Sequence, residues 1–258
     1  MEHMGGIFNR DESGNLGTRA FGGQRQARTF FVADFTGQAL LHVLFEQIIK
    51  SDVRVYEEWF ALSLIIEEGK CCGAVLMDIA SGVIEVVKAK SVILATGGLG
   101  RVFEPSRNAL ICTGDGIAMA YRAGARVRNM EFVQFHPTGM VWPPSVQGIL
   151  VTEGVRGEGG ILKNSDGKRF MFEYIPDTFA TETSDTEEEA SRWLKGDPEA
   201  RRPPELLTRD VVAKAIRSDR IAGSESPHGG QFLGIASQTH HDYLNTKLPR
   251  MYHPFMKL

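Results

Sequence analysis

The chain is 258 residues long and carries 29 Lys and Arg against 32 Asp and Glu, a formal net charge of −3, so it lacks the basic excess of a general nucleic-acid binder. Its 28 glycines fall in short clusters and not in a repeat, which excludes a collagen-like or low-complexity chain, and no apolar run approaches the roughly 18 residues of a membrane span. Three cysteines, Cys71, Cys72 and Cys112, make neither a disulfide framework nor a Cys-x-x-Cys metal pair, and so sparse and odd a count fits a reducing compartment.

Taken in chain order, Met1 to Arg10 lacks the basic and apolar stretches of a secretion signal. Residues 1–35 are rich in Gly, Arg and Phe without a period, and Ala20-Phe21-Gly22-Gly23-Gln24 reads either as a loop beside a ligand or as an ordinary turn. Leu40, Leu41, Leu44 and Ile48 recur at helical spacing behind Thr36, which predicts an amphipathic helix capped by that threonine, with His42 as a packed or hydrogen-bonded core histidine. Val53–Ile66, Cys72–Ile79 and Val83–Val87, separated by short turns, predict an antiparallel meander. Ser91-Val92-Ile93-Leu94-Ala95 is almost wholly apolar and predicts a central parallel strand. It runs into Thr96-Gly97-Gly98-Leu99-Gly100, and the carboxyl end of such a strand is where α/β sheets place nucleotides. A helix is expected from about Gly116 to Ala123. Asp115 at its start reads as a cap or first-turn residue, or as a hydrogen-bond partner for a ligand's sugar or phosphate linker.

The texture changes from Phe132. Gln134-Phe135-His136-Pro137-Thr138-Gly139 leads to Trp142-Pro143-Pro144 and then to Val151-Thr152-Glu153-Gly154-Val155-Arg156-Gly157-Glu158-Gly159-Gly160. Asn164 to Lys168 predicts a hairpin-type turn, and the acidic run 182–189 a solvated surface loop. Thr208 is expected to cap a helix that carries Val211, Val212, Ala215 and Ile216 on one face. His136, Thr152, Glu153, Arg156 and Arg209 all sit beside Gly or Pro turns or at a helix start, not on an amphipathic surface face. His and Arg suit carboxylates, Arg through its planar fork, and Thr adds a short hydroxyl. The same five residues could equally be ion pairs that tie loops together.

At Ala95-Thr96-Gly97-Gly98, Thr113-Gly114-Asp115-Gly116, Glu131 to Gly139, Thr152 to Gly160 and Arg209-Asp210-Val211-Val212, in that order, the chain closely resembles the flavoprotein subunit of succinate dehydrogenase and fumarate reductase. The likeness runs from Arg19-Ala20-Phe21-Gly22-Gly23 to about Gly230. It implies an α/β fold: the later part of an FAD-binding Rossmann-like domain with an antiparallel meander (1–131), then an α+β capping domain (132–258). It also implies FAD as cofactor and the interconversion of succinate and fumarate. Arg209 is then the proton-transfer residue, Glu153 and Arg156 the relay that returns the proton to it, and His136 and Thr152 the ligands of substrate carboxylates. Asp115 and the backbones at Thr96, Gly97 and Gly98 become FAD contacts. The electrons would pass to an iron–sulfur subunit docked on membrane anchor subunits. The subunit would be peripheral, on the cytoplasmic face in bacteria or the matrix face in mitochondria.

Oxidising succinate removes a hydride to the flavin and a proton from the neighbouring carbon, so the protein must hold a dianion against the ring with a proton acceptor opposite. Arginine's reference pKa of roughly 12 or more makes it a poor base alone, hence the expected relay. The chain departs from the family in having no Gly-x-Gly-x-x-Gly and no flavin-linked histidine. The family's further substrate histidine and arginine would lie beyond Leu258, and His228, His240, His241 and His253 do not stand in the expected motif. The expectation is therefore an internal segment of a longer subunit, which by itself would neither bind FAD well nor turn over. Two rivals stand beside this reading. L-aspartate oxidase has a similar motif series, although Thr152-Glu153-Gly154 looks more like the dicarboxylate-only enzymes. The other is a non-catalytic remnant that keeps only a protein-contact surface.

Overall fold

The structure, a computed structural model, describes residues 1–24, 26–104, 106–235 and 241–255; His240 lies outside the described residues. Strands β1 (Thr18–Arg19) and β2 (Thr29–Phe30) are followed by helix α1 (Thr36–Ile49), strands β3 (Trp59–Glu67), β4 (Lys70–Asp78) and β5 (Ile84–Lys88), and helix α2 (Asp115–Arg122). Next come α3 (Glu153–Gly157), β6 (Gly160–Lys163), α4 (Asp177–Ala180), α5 (Glu187–Leu194), α6 (Arg209–Ile221), β7 (Phe232–Ile235), α7 (His241–Lys247) and α8 (Pro249–Phe255). The strands form the antiparallel sheets β1-β2, β3-β4-β5 and β6-β7, so the fold is mixed α/β. The chain divides into two compact units, residues 52–133 and residues 1–51 with 134–258.

Within 52–133 the meander forms as its β-branched and aromatic runs predict. Glu68 and Gly69 have φ of 50° and 75°, the pair of positive values whose twist matches a tight hairpin. The first strand begins at Trp59 and not at Val53, after Glu58 enters the left-handed region at φ 59°. Ser91–Ala95 is not a strand. A central parallel strand needs neighbours on both sides to take its backbone groups, whereas every named strand among the described residues pairs antiparallel and none pairs with this segment. Ile93 is accordingly 90% exposed. Helix α2 starts one residue earlier than predicted; Gly114 is its N-cap, so Asp115 stands in the first turn and complements the helix dipole.

The other unit holds most of the buried apolar side chains. Leu162, Phe170, Met171, Leu207, Val212 and Ala215 make one core cluster, and Val151, Val155, Leu244 and Leu248 a second; Leu233 packs against both. The helical spacing of Val212 and Ala215 turns one stripe of α6 into this core. Thr208 occupies the N-cap of α6, but its side chain bonds Asp210 and not a backbone N–H. Phe35, not Thr36, is the N-cap of α1, and the Thr36 hydroxyl accepts from the Val32 N–H at 3.0 Å. His42 is exposed and sits 3.1 Å from the Gln38 amide nitrogen, and Leu41, Leu44 and Ile48 of the same helix are exposed too. The acidic run is not one solvated loop. Thr183 and Ser184 are fully buried, and Glu187, Glu188 and Glu189 make the first turn of α5 behind the Thr186 cap, where the dipole favours them.

Candidate active site

His136, Thr152, Glu153, Arg156 and Arg209 all lie in the unit 1–51 with 134–258. Thr152 caps α3, its hydroxyl accepting the Gly154 N–H at 3.4 Å. That cap puts Glu153 in the first turn and Arg156 in the last, each at the end where the helix dipole suits its charge. Arg209 opens α6. Glu153 is 8% exposed and acts as the hub. Its Oε2 accepts from Arg209 Nη2 at 3.0 Å and Nε at 3.2 Å, and lies 3.9 Å from Arg156 Nη2. Its Oε1 accepts the Gly22 N–H at 2.5 Å. Arg209 also donates Nη1–H to Gln134 Oε1 at 2.9 Å.

Arg156 is 1% exposed and donates Nη1–H to the Glu205 carbonyl at 2.7 Å, while its Nε and Nη2 have no hydrogen-bond partner among the described residues. Burial holds its pKa below the ordinary arginine range, and Glu153 opposes that effect. His136 is partly buried, with Nδ1 3.1 Å from the Thr138 carbonyl oxygen and 3.3 Å from the Thr138 N. Its pKa is pushed down to about 4, first by burial and then by the charges of Arg209 and Arg156, so the imidazole is neutral at neutral pH. Thr138 is tied twice to the segment before the α3 cap. Its hydroxyl donates to the Val151 carbonyl at 3.0 Å and its own carbonyl accepts the Val151 N–H at 3.2 Å.

Two guanidiniums, one carboxylate and a neutral imidazole leave the cluster one positive charge in excess, which suits an anion. The alternation Arg209–Glu153–Arg156 also gives a proton a short path with an acceptor in its middle. Gln134 and the Gly22 N–H are part of this arrangement. Their motifs were visible in the sequence, but nothing in the spacing said that they would meet Arg209 and Glu153. A cavity of about 350 Å³ lined by Arg19, Phe21, Asp34 and Arg250 reaches Thr152, whereas a cavity of about 400 Å³ walled by Met140, Ile216 and the stacked rings of Trp142 and His228 contains none of the predicted site residues.

Thr96, Gly97, Gly98 and Asp115 belong to the unit 52–133. A Cβ on Gly116 would fall 1.7 Å from Thr96 Oγ1, so residue 116 must be glycine for the Thr96 segment to lie against the start of α2. A Cβ on Gly98 would meet nothing within 4 Å, and Thr96 to Gly98 are exposed. The Asp115 carboxylate accepts the Thr113 hydroxyl. An open stretch of backbone beside a helix N-terminus fits the polar linker of a dinucleotide such as FAD.

Residues 1–257 match the FAD binding domain family. The chain is 49% identical over 253 residues to a fumarate reductase flavoprotein subunit of Mycobacterium tuberculosis, covering 96% of this chain and 40% of that protein. It is 45% identical over 261 residues to a succinate dehydrogenase flavoprotein subunit of Rickettsia felis, covering 96% and 38%. Among solved structures, a quinol fumarate reductase chain of E. coli superposes with a TM-score of 0.81 at 34% identity, over 97% of this chain and 40% of that one. The chain thus spans about 40% of the length of the relatives it matches.

Proposed function

The chain belongs to the FAD-binding domain family and stands beside the flavoprotein subunits of fumarate reductases and succinate dehydrogenases, and from that premise we propose that it is the part of such a subunit that interconverts succinate and fumarate. The observation that carries the reading is the Glu153 carboxylate, gripped by Arg209 with the buried Arg156 behind it. On this reading residues 1–131 are the later part of a Rossmann-like FAD domain and 132–258 are capping domain. FAD, contacted by the backbones of Thr96, Gly97 and Gly98 and by Asp115, supplies the two-electron exchange when bound.

The remaining work falls to the cluster. Neutral His136 and the Thr152 hydroxyl bind the substrate carboxylates and fix the diacid's pose. Arg209 handles the proton at the reacting carbon. In oxidation a proton reaches its guanidinium as another leaves Nη2 or Nε for Glu153 Oε2, so the arginine is not left neutral. Arg156, 3.9 Å beyond, is the next group of the relay; being a guanidinium already, it takes up a proton from Glu153 only as it gives one of its own up, and in reduction the order reverses. On this reading the electrons pass to an iron–sulfur partner subunit docked on membrane anchor subunits. We propose further that the subunit is peripheral, on the cytoplasmic face in bacteria or the matrix face in mitochondria. No helix among the described residues is long and apolar enough to cross a membrane.

The test uses the complete subunit with FAD. Succinate should reduce an artificial electron acceptor and L-aspartate should not; activity on L-aspartate alone would move the chain to the oxidase reading. Arg209→Lys should lower turnover by about 10²–10⁴-fold with flavin content unchanged. Loss of flavin together with turnover would make Arg209 a structural residue.

A further inference from the structure

The geometry points to a buried pair, Arg169 and Glu205, that positions the proton relay without touching substrate or cofactor; the inference rests on the succinate–fumarate reading above. Among the described residues Arg156 has one hydrogen bond to hold it, from Nη1 to the Glu205 carbonyl, and it comes no nearer than 3.9 Å to the Glu153 carboxylate. The place of that carbonyl therefore sets how near Arg156 comes to Glu153.

The carbonyl is fixed by its own side chain. Glu205 is 1% exposed, and its carboxylate is held in a two-armed fork, Arg169 Nε to Oε1 and Nη2 to Oε2, each at 2.7 Å. Leu162 N–H adds a third donor at 3.4 Å, and the Arg169 guanidinium lies over the Phe172 ring at 4.9 Å. This grip orders the 3-10 turn Pro204–Leu206, three residues ahead of Arg209 at its nearer end. The Leu206 carbonyl in turn accepts the Gly23 N–H at 2.9 Å, and the neighbouring Gly22 N–H donates to Glu153 Oε1. One turn thus supports Arg156, the loop that orients Glu153, and the start of the helix bearing Arg209. Glu205 also places a negative charge where it helps keep the buried Arg156 protonated.

Two variants of the complete, flavin-loaded subunit test this. Arg169→Lys keeps the charge and loses the fork. The double variant Arg169→Met/Glu205→Gln removes both charges together, which avoids leaving one unpaired in the interior and favours retained folding. In both, kcat per flavin should fall about tenfold or more, as expected when a catalytic group is slightly misplaced. KM for succinate should stay within about twofold. The solvent deuterium isotope effect on kcat should rise, because proton delivery becomes limiting. A purely architectural pair would lower the thermal midpoint and flavin content but leave the isotope effect of the surviving enzyme unchanged. Unchanged kcat and isotope effect in folded protein overturn the inference. If the parent subunit does not oxidise succinate, the functional reading fails instead. A crystal structure of the double variant then decides the positioning claim: Arg156 still bonded to the carbonyl of residue 205 refutes it, and a displaced guanidinium supports it.

Discussion

His136 gives up its charge to its surroundings, and that has a signed consequence. Its pKa drops from 6.5 in an open chain to about 4 in the fold, so between those values the unfolded state binds the proton that the folded state refuses. Stability therefore rises with pH across that window and is lost as pH falls from 6.5 towards 4. Thermal midpoints measured from pH 7 to pH 4 should fall more steeply for the parent than for His136→Gln; parallel curves would mean that the imidazole is not held neutral. At this scale the sequence was informative about residue types and not about partners. The chemistry of His136, Thr152, Glu153, Arg156 and Arg209 could be named from their motifs. The Gln134 amide, the Gly22 N–H and the Glu205 carbonyl could not, because they join the cluster through hydrogen bonds across 75, 131 and 49 residues, and such bonds leave no periodic trace.

Elements whose shape is set by neighbours in sequence were legible. The meander and α6 follow from local signals: short turns join the strands of the meander, and the apolar stripe of α6 repeats at helical spacing. Ser91–Ala95 has the composition of an interior strand, but composition cannot supply the adjacent strands that would make it one. In the stretch 182–189 the charge hides the cap. Thr186 with three following glutamates is a helix start, and Ser184 is drawn inward by the Arg202 carbonyl, which accepts its N–H at 2.9 Å. The Thr96–Gly98 segment supports a test at this scale. Gly98 has open space where a side chain would go, so Gly98→Ala should leave the thermal midpoint of the flavin-free subunit unchanged while lowering its affinity for FAD by about tenfold or more, a loss of about 1.4 kcal/mol or more. Unchanged affinity would mean that the cofactor does not occupy that space.

Across the molecule, buried apolar side chains concentrate in residues 1–51 with 134–258, while Met119 is the one buried apolar side chain of 52–133 among the described residues. The cluster around Glu153 therefore rests on the better packed of the two units, which suits chemistry that depends on fixed distances. The unit 52–133 carries the open glycine segment. The double link between Thr138 and Val151 has a reach beyond the two segments it joins, since His136 is two residues upstream of one end and Thr152 directly follows the other. Under the proposed reading this makes the link a ruler for diacid length: the gap between the two carboxylate anchors is set by the backbone and cannot stretch to suit a guest. Glutarate, one methylene longer than succinate, should then bind about tenfold more weakly, and Thr138→Val, which cuts one of the two ties, should narrow that preference. Competitive inhibition constants for a series of saturated diacids would read this directly, and an unaltered ranking in the variant would show that the gauge lies elsewhere.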